Sequence, residues 1–255
     1  MKPFKNVTVP EMKAFLGLII AMAMGKLPTY DDYWKTGILQ MPWFQSIMTR
    51  QRFRDILRYL HLVDNREIAE KDHPNYTKLG KLGKLDEKLS KLFRKMYHPG
   101  QNISIDEQMI GTKCRVCFIQ YMPKKPKKFG IKIWACCDAE TSYCTNFQIY
   151  TGATDQGPDQ GLSYKDHNLF IDNFYTSLNL AKSLLDKGTY VCGTISTKMG
   201  EFPKIFVDEK LIRGKSIYLK IGNVLAVHWK NKRDVFVLSS FHGNQEVTIQ
   251  RHQPR

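Results

Sequence analysis

Two short stretches hold the residues best placed to do chemistry. In Leu169-Phe170-Ile171-Asp172-Asn173-Phe174-Tyr175 an apolar run ends on a carboxylate, and Ile103-Ser104-Ile105-Asp106-Glu107 has the same grammar. A carboxylate at the end of a buried strand costs free energy unless something satisfies it. Two roles satisfy it. One is a capping or turn residue, which is common; the other is a metal ligand held on a rigid strand end. Spacing by itself leaves both open. Asp138, which leads into Ala139-Glu140-Thr141-Ser142, reads as a turn residue.

The background to these carboxylates is basic. Over 255 residues, 39 Lys+Arg stand against 24 Asp+Glu, a net charge of +15. Such an excess points to a polyanionic partner, with nucleic acid ahead of an anionic membrane surface. No apolar run reaches the ~18 residues of a membrane span. The longest, AFLGLIIAMAMG at 14–25, has the length of a signal-peptide core. Thr8-Val9-Pro10-Glu11 just before it has the form of a helix capping box with proline in the first turn, so 9–24 reads as an interior helix. Of six cysteines, Cys114-x-x-Cys117 and Cys136-Cys137 supply a fragment of a zinc pattern without the usual partner pair. Reduced structural thiols, and no zinc, are expected.

Two kinds of element must position the two aspartates. Helices are expected over the first hundred residues. After Thr49, the residues Phe53, Ile56, Leu57 and Leu60 form one apolar stripe; Leu85, Leu89, Leu92, Phe93 and Met96 form another, stopped by His98-Pro99-Gly100. Short strands are expected at 103–105, 129–137, 143–152, 168–172 and 189–196, the first three as an antiparallel meander, with a helix through Leu178 and Leu185. The tail 201–250 reads as β-rich and as a separate sheet.

The segments VPEMKAFLGLIIAMAMGKLPTYDDYW (9–34), MTRQRFRDILRYLHLVDN (48–65), ISIDEQMIGTKCR (103–115), QYMPKKPKKFGIKIWACCDAETSY (120–143), FIDNFYTSLNLAKSLLDKGTYVCGTI (170–195) and VHWKNKRDVFVLSS (227–240) together resemble a piggyBac-family transposase. The resemblance implies an α/β fold. A helical DNA-binding and dimerisation region (1–100) would precede a ribonuclease-H-like mixed sheet, here incomplete (101–198), and a β-rich insertion (199–255). It also implies two divalent metals, Mg²⁺ or Mn²⁺, on strand-end carboxylates that match Asp106 and Asp172. Glu107 adjoins Asp106, but strand alternation turns it to the opposite face, which leaves it outside the expected ligand set. The family's third aspartate lies in a Gly-Val-Asp-type stretch beyond the insertion. No such stretch occurs here, and neither Asp208 nor Asp234 has that context. The expected form is therefore truncated and inactive. The alternatives are an active transposase with a substitute third ligand, or a domesticated, non-enzymatic DNA-binding or interaction protein. Residues 151–167, TGATDQGPDQGLSYKDH, stand where the family has a crossover helix and lack an apolar stripe.

Double-stranded DNA is the expected partner, with a homodimer and a nuclear address implied by the same resemblance. Lys124, Lys125, Lys127 and Lys128, in PKKPKK, form the sharpest basic cluster, and Arg50 and Arg54 lie off the apolar stripe of their helix. Each group has two readings, phosphate contact or solvated surface; the lysines also suit a nuclear localisation signal. Tyr121, Phe174 and Tyr175 have the type to stack on unpaired bases, or to pack in a core.

Overall fold

Thr8 opens the first helix as its local sequence requires. Its Oγ1 accepts a hydrogen bond from the Glu11 N–H at 3.3 Å, and α1 runs Val9–Met24 with proline in the first turn. The computed structural model describes residues 4–37, 41–152, 165–197 and 202–245. The chain divides into two units, Met1–Glu70 and Lys71–Arg255.

In the first unit, α1 is joined by α2 (Pro42–Ile47) and α3 (Arg50–Tyr59), and Thr49 caps α3 through its hydroxyl. Their core is mainly aromatic: Phe15, Tyr33, Trp34, Phe44 and Phe53 are buried together with Leu18, Met48 and Ile56. Arg52 clamps Glu11 with two hydrogen bonds, of 2.6 and 2.8 Å, which lower the Glu11 carboxyl below its ordinary range. The expected stripe on α3 is only half buried. Phe53 and Ile56 are inside, whereas Leu57 and Leu60 are 43% and 41% exposed.

The second unit is one mixed sheet. Its strands are β1 (Asn102–Gly111), β2 (Gln120–Tyr121), β3 (Phe129–Asp138), β4 (Cys144–Ile149), β5 (Asn168–Ile171), β6 (Tyr190–Thr194), β7 (Ser216–Ile221), β8 (Val224–Lys230) and β9 (Asp234–Ser239). They pair in the order β2-β3-β1-β5-β6-β9-β8-β7, with β4 also on β3. The β1–β3 and β3–β4 pairs are antiparallel, as the meander pattern predicts; β1, β5 and β6 are parallel neighbours. Short parallel strands need a crossover, and α5 (Leu178–Asp186) supplies the one between β5 and β6. The expected strand at 103–105 extends to Gly111 because β3 pairs with it along its whole length.

Two expectations are corrected here. The tail is not a separate sheet: β9 pairs antiparallel with β6, Gly193 opposite Leu238, so β7–β9 extend the same sheet across an edge of β6 that would otherwise lie open. The helix α4 (Leu85–Met96), grouped in sequence with the N-terminal helices, packs on β4 within the second unit. It does so through Ser90, whose hydroxyl donates to the Phe147 carbonyl at 3.3 Å, and through Phe93, which meets Tyr143 and Phe147. Leu85, Leu92 and Met96 of its expected apolar stripe are exposed. Residues 153–164, most of the expected 151–167 connection, lie outside the described residues.

Asp138 ties the start of β1 to the β3–β4 turn. Buried at 2% exposure, it accepts from the N–H groups of Gly100 (2.7 Å), Glu140 (2.9 Å) and Thr141 (2.7 Å) and from the Thr141 hydroxyl (3.0 Å). These donors, the Thr141 and Gly100 amides foremost, hold its carboxyl well below the usual carboxylate range. The turn reading made from sequence is thereby accounted for. A depressed carboxyl stabilises the fold fully above its unfolded value of ~3.9 and loses that contribution as pH falls toward its folded value. Asp138→Ala is therefore expected to melt well below wild type at pH 7, with the gap closing as the pH is taken to about 3. Thermal melts at both pH values check this, and a gap of equal size at both would refute it.

Candidate active site

The site forms where the parallel β1–β5 pairing stops: β5 ends at Ile171, while β1 runs on to Gly111 along β3. In the β1–β5 ladder, Ser104 is opposite Phe170 and Ile105 opposite Ile171. Asp106, within β1, and Asp172, the first residue past β5, are the next residues along, so the two aspartates stand at the same level of the sheet. The buried flanks are apolar for a simple reason: Ile103, Leu169 and Ile171 belong to the core of this unit, with Val191 of β6 beside them. A strand end on such a core is a rigid mount.

Each carboxylate is held by local donors. Asp172 Oδ1 accepts from the Asn173 N–H at 2.6 Å and from the Thr194 hydroxyl of β6 at 3.2 Å. Behind it, the buried Thr176 donates its hydroxyl to the Asp172 carbonyl at 3.0 Å. Asp106 Oδ1 accepts from the Glu107 N–H at 2.7 Å. Asp106 is open to solvent, its side chain 63% exposed.

Glu107 does turn inward, to 13% side-chain exposure, yet it stays in the same cluster. The Lys125 ammonium lies 3.8 Å from Asp106 Oδ2 and 4.0 Å from Glu107 Oε2, and donates to the Glu107 carbonyl at 3.0 Å. Lys132, itself 14% exposed, is 3.8 Å from Glu107 Oε1 and lies over the rings of Tyr150, Trp134 and Phe174 at 5.3–5.6 Å. Burial pushes the Glu107 carboxyl up, and the neighbouring Asp106 carboxylate adds to the effect. Burial also pushes the Tyr175 phenol up, with the charges of Glu107, Asp106 and Asp172 adding to the effect. All three carboxylates therefore act on one phenol. Strand alternation was the reason to set Glu107 aside; Lys132, on the neighbouring strand and almost opposite it, is the signal that pointed the other way.

The basic cluster divides. Lys124, Lys127 and Lys128 are exposed, whereas Lys125 folds back onto the carboxylates. Arg50 and Arg54 are exposed on α3 of the first unit, with Arg52 between them committed to Glu11. Phe174 is 72% exposed. Asp234, the later carboxylate weighed from sequence, is committed elsewhere. It accepts from Lys230 at 2.6 Å and bonds the fully buried His228 at 3.0 Å, and both partners lower its carboxyl.

By donor type, Asp106 and Asp172 suit a hard divalent cation. The described residues stop at that pair: no group of three His, Cys, Asp or Glu among them is placed to hold a metal. Nor is any described helix long and apolar enough to cross a membrane.

The mixed sheet places this chain in the α/β class, and the comparisons give its family. The family model described as transposase IS4 matches residues 2–254, and the chain belongs to that family. It is 27% identical over 209 residues to the human piggyBac transposable element-derived protein 3, covering 74% of this chain and 34% of that protein. To the human piggyBac transposable element-derived protein 5 it is 24% identical over 279 aligned positions, covering 96% of this chain and 52% of that one. Its fold matches a piggyBac transposase solved by cryo-electron microscopy in a synaptic complex with hairpin DNA. The TM-score is 0.81 at 26% identity, over 98% of this chain and 55% of that one. The chain thus spans between about a third and about half of the length of these relatives.

Proposed function

We propose that this piggyBac-like domain binds double-stranded DNA in the nucleus, as a homodimer, and contributes Asp106 and Asp172 to a metal-dependent strand-transfer site that the residues described here leave catalytically silent. The observation that supports this reading is the β1–β5 register, in which the residues just before Asp106 and Asp172 pair, Ile105 with Ile171. Asp106 and Asp172 would hold Mg²⁺ or Mn²⁺, which when bound activates the attacking oxygen and stabilises the leaving oxygen of a phosphodiester. The protein's own part is to hold the ligands. Thr194 and the Asn173 amide orient Asp172, and the Glu107 amide orients Asp106. The silent reading is supported by the Lys125 ammonium, which lies 3.8 Å from Asp106 Oδ2 and would compete with a cation for that carboxylate. The net charge of +15 supports the DNA partner.

One observation favours a second reading. The Lys125 ammonium lies 4.0 Å from Glu107 Oε2 and 3.8 Å from Asp106 Oδ2, which makes Glu107 the candidate for the substitute third ligand an active enzyme would need.

Mn²⁺ binding, followed by electron paramagnetic resonance, and Mn²⁺-dependent nicking of supercoiled plasmid test both. Wild type is expected to bind Mn²⁺ weakly, Asp106→Asn and Asp172→Asn to lose that binding, and none to nick. Nicking by wild type that Asp172→Asn abolishes would overturn the silent reading, and its loss in Glu107→Gln would identify the third ligand. Unchanged Mn²⁺ binding in both aspartate variants would remove the pair from metal chemistry.

A further inference from the structure

The loop that joins β2 to β3 carries an exposed aromatic pair that the proposed site does not use. Tyr121 and Phe129 are cross-strand partners at the base of this hairpin. Their rings lie 4.6 Å apart at 33°, and the residues are 57% and 58% exposed. Cross-strand rings on a packed face bury each other against a core; here the strand beneath is a two-residue edge strand, and the pair faces solvent. The loop above them is ordered by its own backbone, Met122 N–H to the Lys128 carbonyl at 2.8 Å and Lys125 N–H to the Met122 carbonyl at 3.1 Å. Lys124, Lys127 and Lys128 are exposed on that loop. Lys125 fastens it to β1 through the Glu107 carbonyl, one residue from Asp106.

We infer that this hairpin is a binding platform for an unpaired nucleotide, with the base on the Tyr121–Phe129 rings and the phosphates on Lys124, Lys127 and Lys128. The inference rests on the DNA-binding reading above and goes further, because it names the state of the DNA. An intact duplex keeps its base faces stacked on one another and offers the hairpin phosphates alone. An unpaired segment offers a π face and a phosphate together, which is the combination displayed here. Lys125 is the positioning residue: its bond to the Glu107 carbonyl holds the lysine-bearing loop against β1.

The experiment compares two probes of equal charge by fluorescence anisotropy: an oligothymidylate of about 15 nucleotides, within the span of single-strand sites, and an abasic phosphodiester oligomer of the same length. Wild type is expected to favour the thymidylate at least about fivefold, the lower end of what one stacked base contributes. Tyr121→Leu/Phe129→Leu, which keeps apolar bulk and is confirmed folded by its melting curve, is expected to erase that preference and leave abasic binding unchanged. Lys124→Ala/Lys127→Ala/Lys128→Ala is expected to weaken both probes and reduce the log–log salt slope by roughly 2, at ~0.7 per single-strand phosphate. Equal binding of the two probes by wild type, or a preference that survives in the leucine variant, overturns the platform while leaving DNA binding intact. Wild type that binds neither these probes nor duplex overturns the DNA-binding reading and the platform with it.

Discussion

A Gly193→Ala variant is expected to lose about 3 kcal/mol of folding stability and to displace Asp172. Gly193 lies in β6 directly against the end of β5. A Cβ there would fall inside contact distance of the Ile171 carbonyl and Thr176 Oγ1 and within 3.0 Å of Ile171 Cγ1. Neither neighbour has room to yield. Ile171 is the last paired residue of β5, and Thr176, 1% exposed, is bonded to the Asp172 carbonyl. Overpacking a core usually costs ~1–3 kcal/mol, and with main-chain atoms as the obstacle the upper end is expected. The strain would be delivered to the one residue between Ile171 and the Asn173–Tyr175 turn, which is Asp172. Urea unfolding gives the stability loss, and hydrogen exchange over 172–176 reads the displacement. A midpoint and an exchange pattern like those of wild type would show that the close approach of β5 and β6 does not hold this site.

The second large effect belongs to the first unit. Phe53→Ala is expected to cost ~3–5 kcal/mol, the range for removing a buried aromatic ring. Phe53 is 2% exposed, with its ring centroid 5.0 Å from Phe15 and 4.9 Å from Trp34, so truncation opens a void among rings that have few ways to close it. Leu57→Ala, on the same helix but 43% exposed, is expected to change stability by no more than ~0.5 kcal/mol. Tryptophan fluorescence follows the contrast, since Trp34 reports on this core. Equal losses in the two variants would mean that α3 buries the wider stripe expected from its sequence.

These contrasts mark where local sequence is informative. Periodicity located α3 and α4, because a helix with no apolar face has nothing to bury. It did not assign the faces. On α4 the leucines are largely outside and Ser90 and Phe93 make the contact, because β4 presents Phe147 and Tyr143 to that side. Periodicity likewise located the strands, but not that β9 would close the free edge of β6. That pairing joins residues more than forty positions apart, such as Gly193 and Leu238, and no window of sequence contains both.

For the candidate site, the sequence by itself determined that two carboxylates follow apolar strand residues in a basic chain, and that Asp138 begins a turn; that β1 runs on past Asp106 to Gly111 came from its pairing with β3. Residue type and immediate neighbours are enough for such statements, since a charged residue at the end of an apolar run must be satisfied locally. Only the tertiary structure decided which of these carboxylates meet. The parallel β1–β5 register brings Asp106 level with Asp172, and the donors around Asp138 commit it to the chain. It also divided the lysines, turning Lys125 inward and leaving the other three in solvent, and it drew Glu107 into the cluster that alternation assigns to the far face. The physical reason is that a charge is placed by what lies across from it in space, and those partners are set by strand pairing rather than by adjacency along the chain.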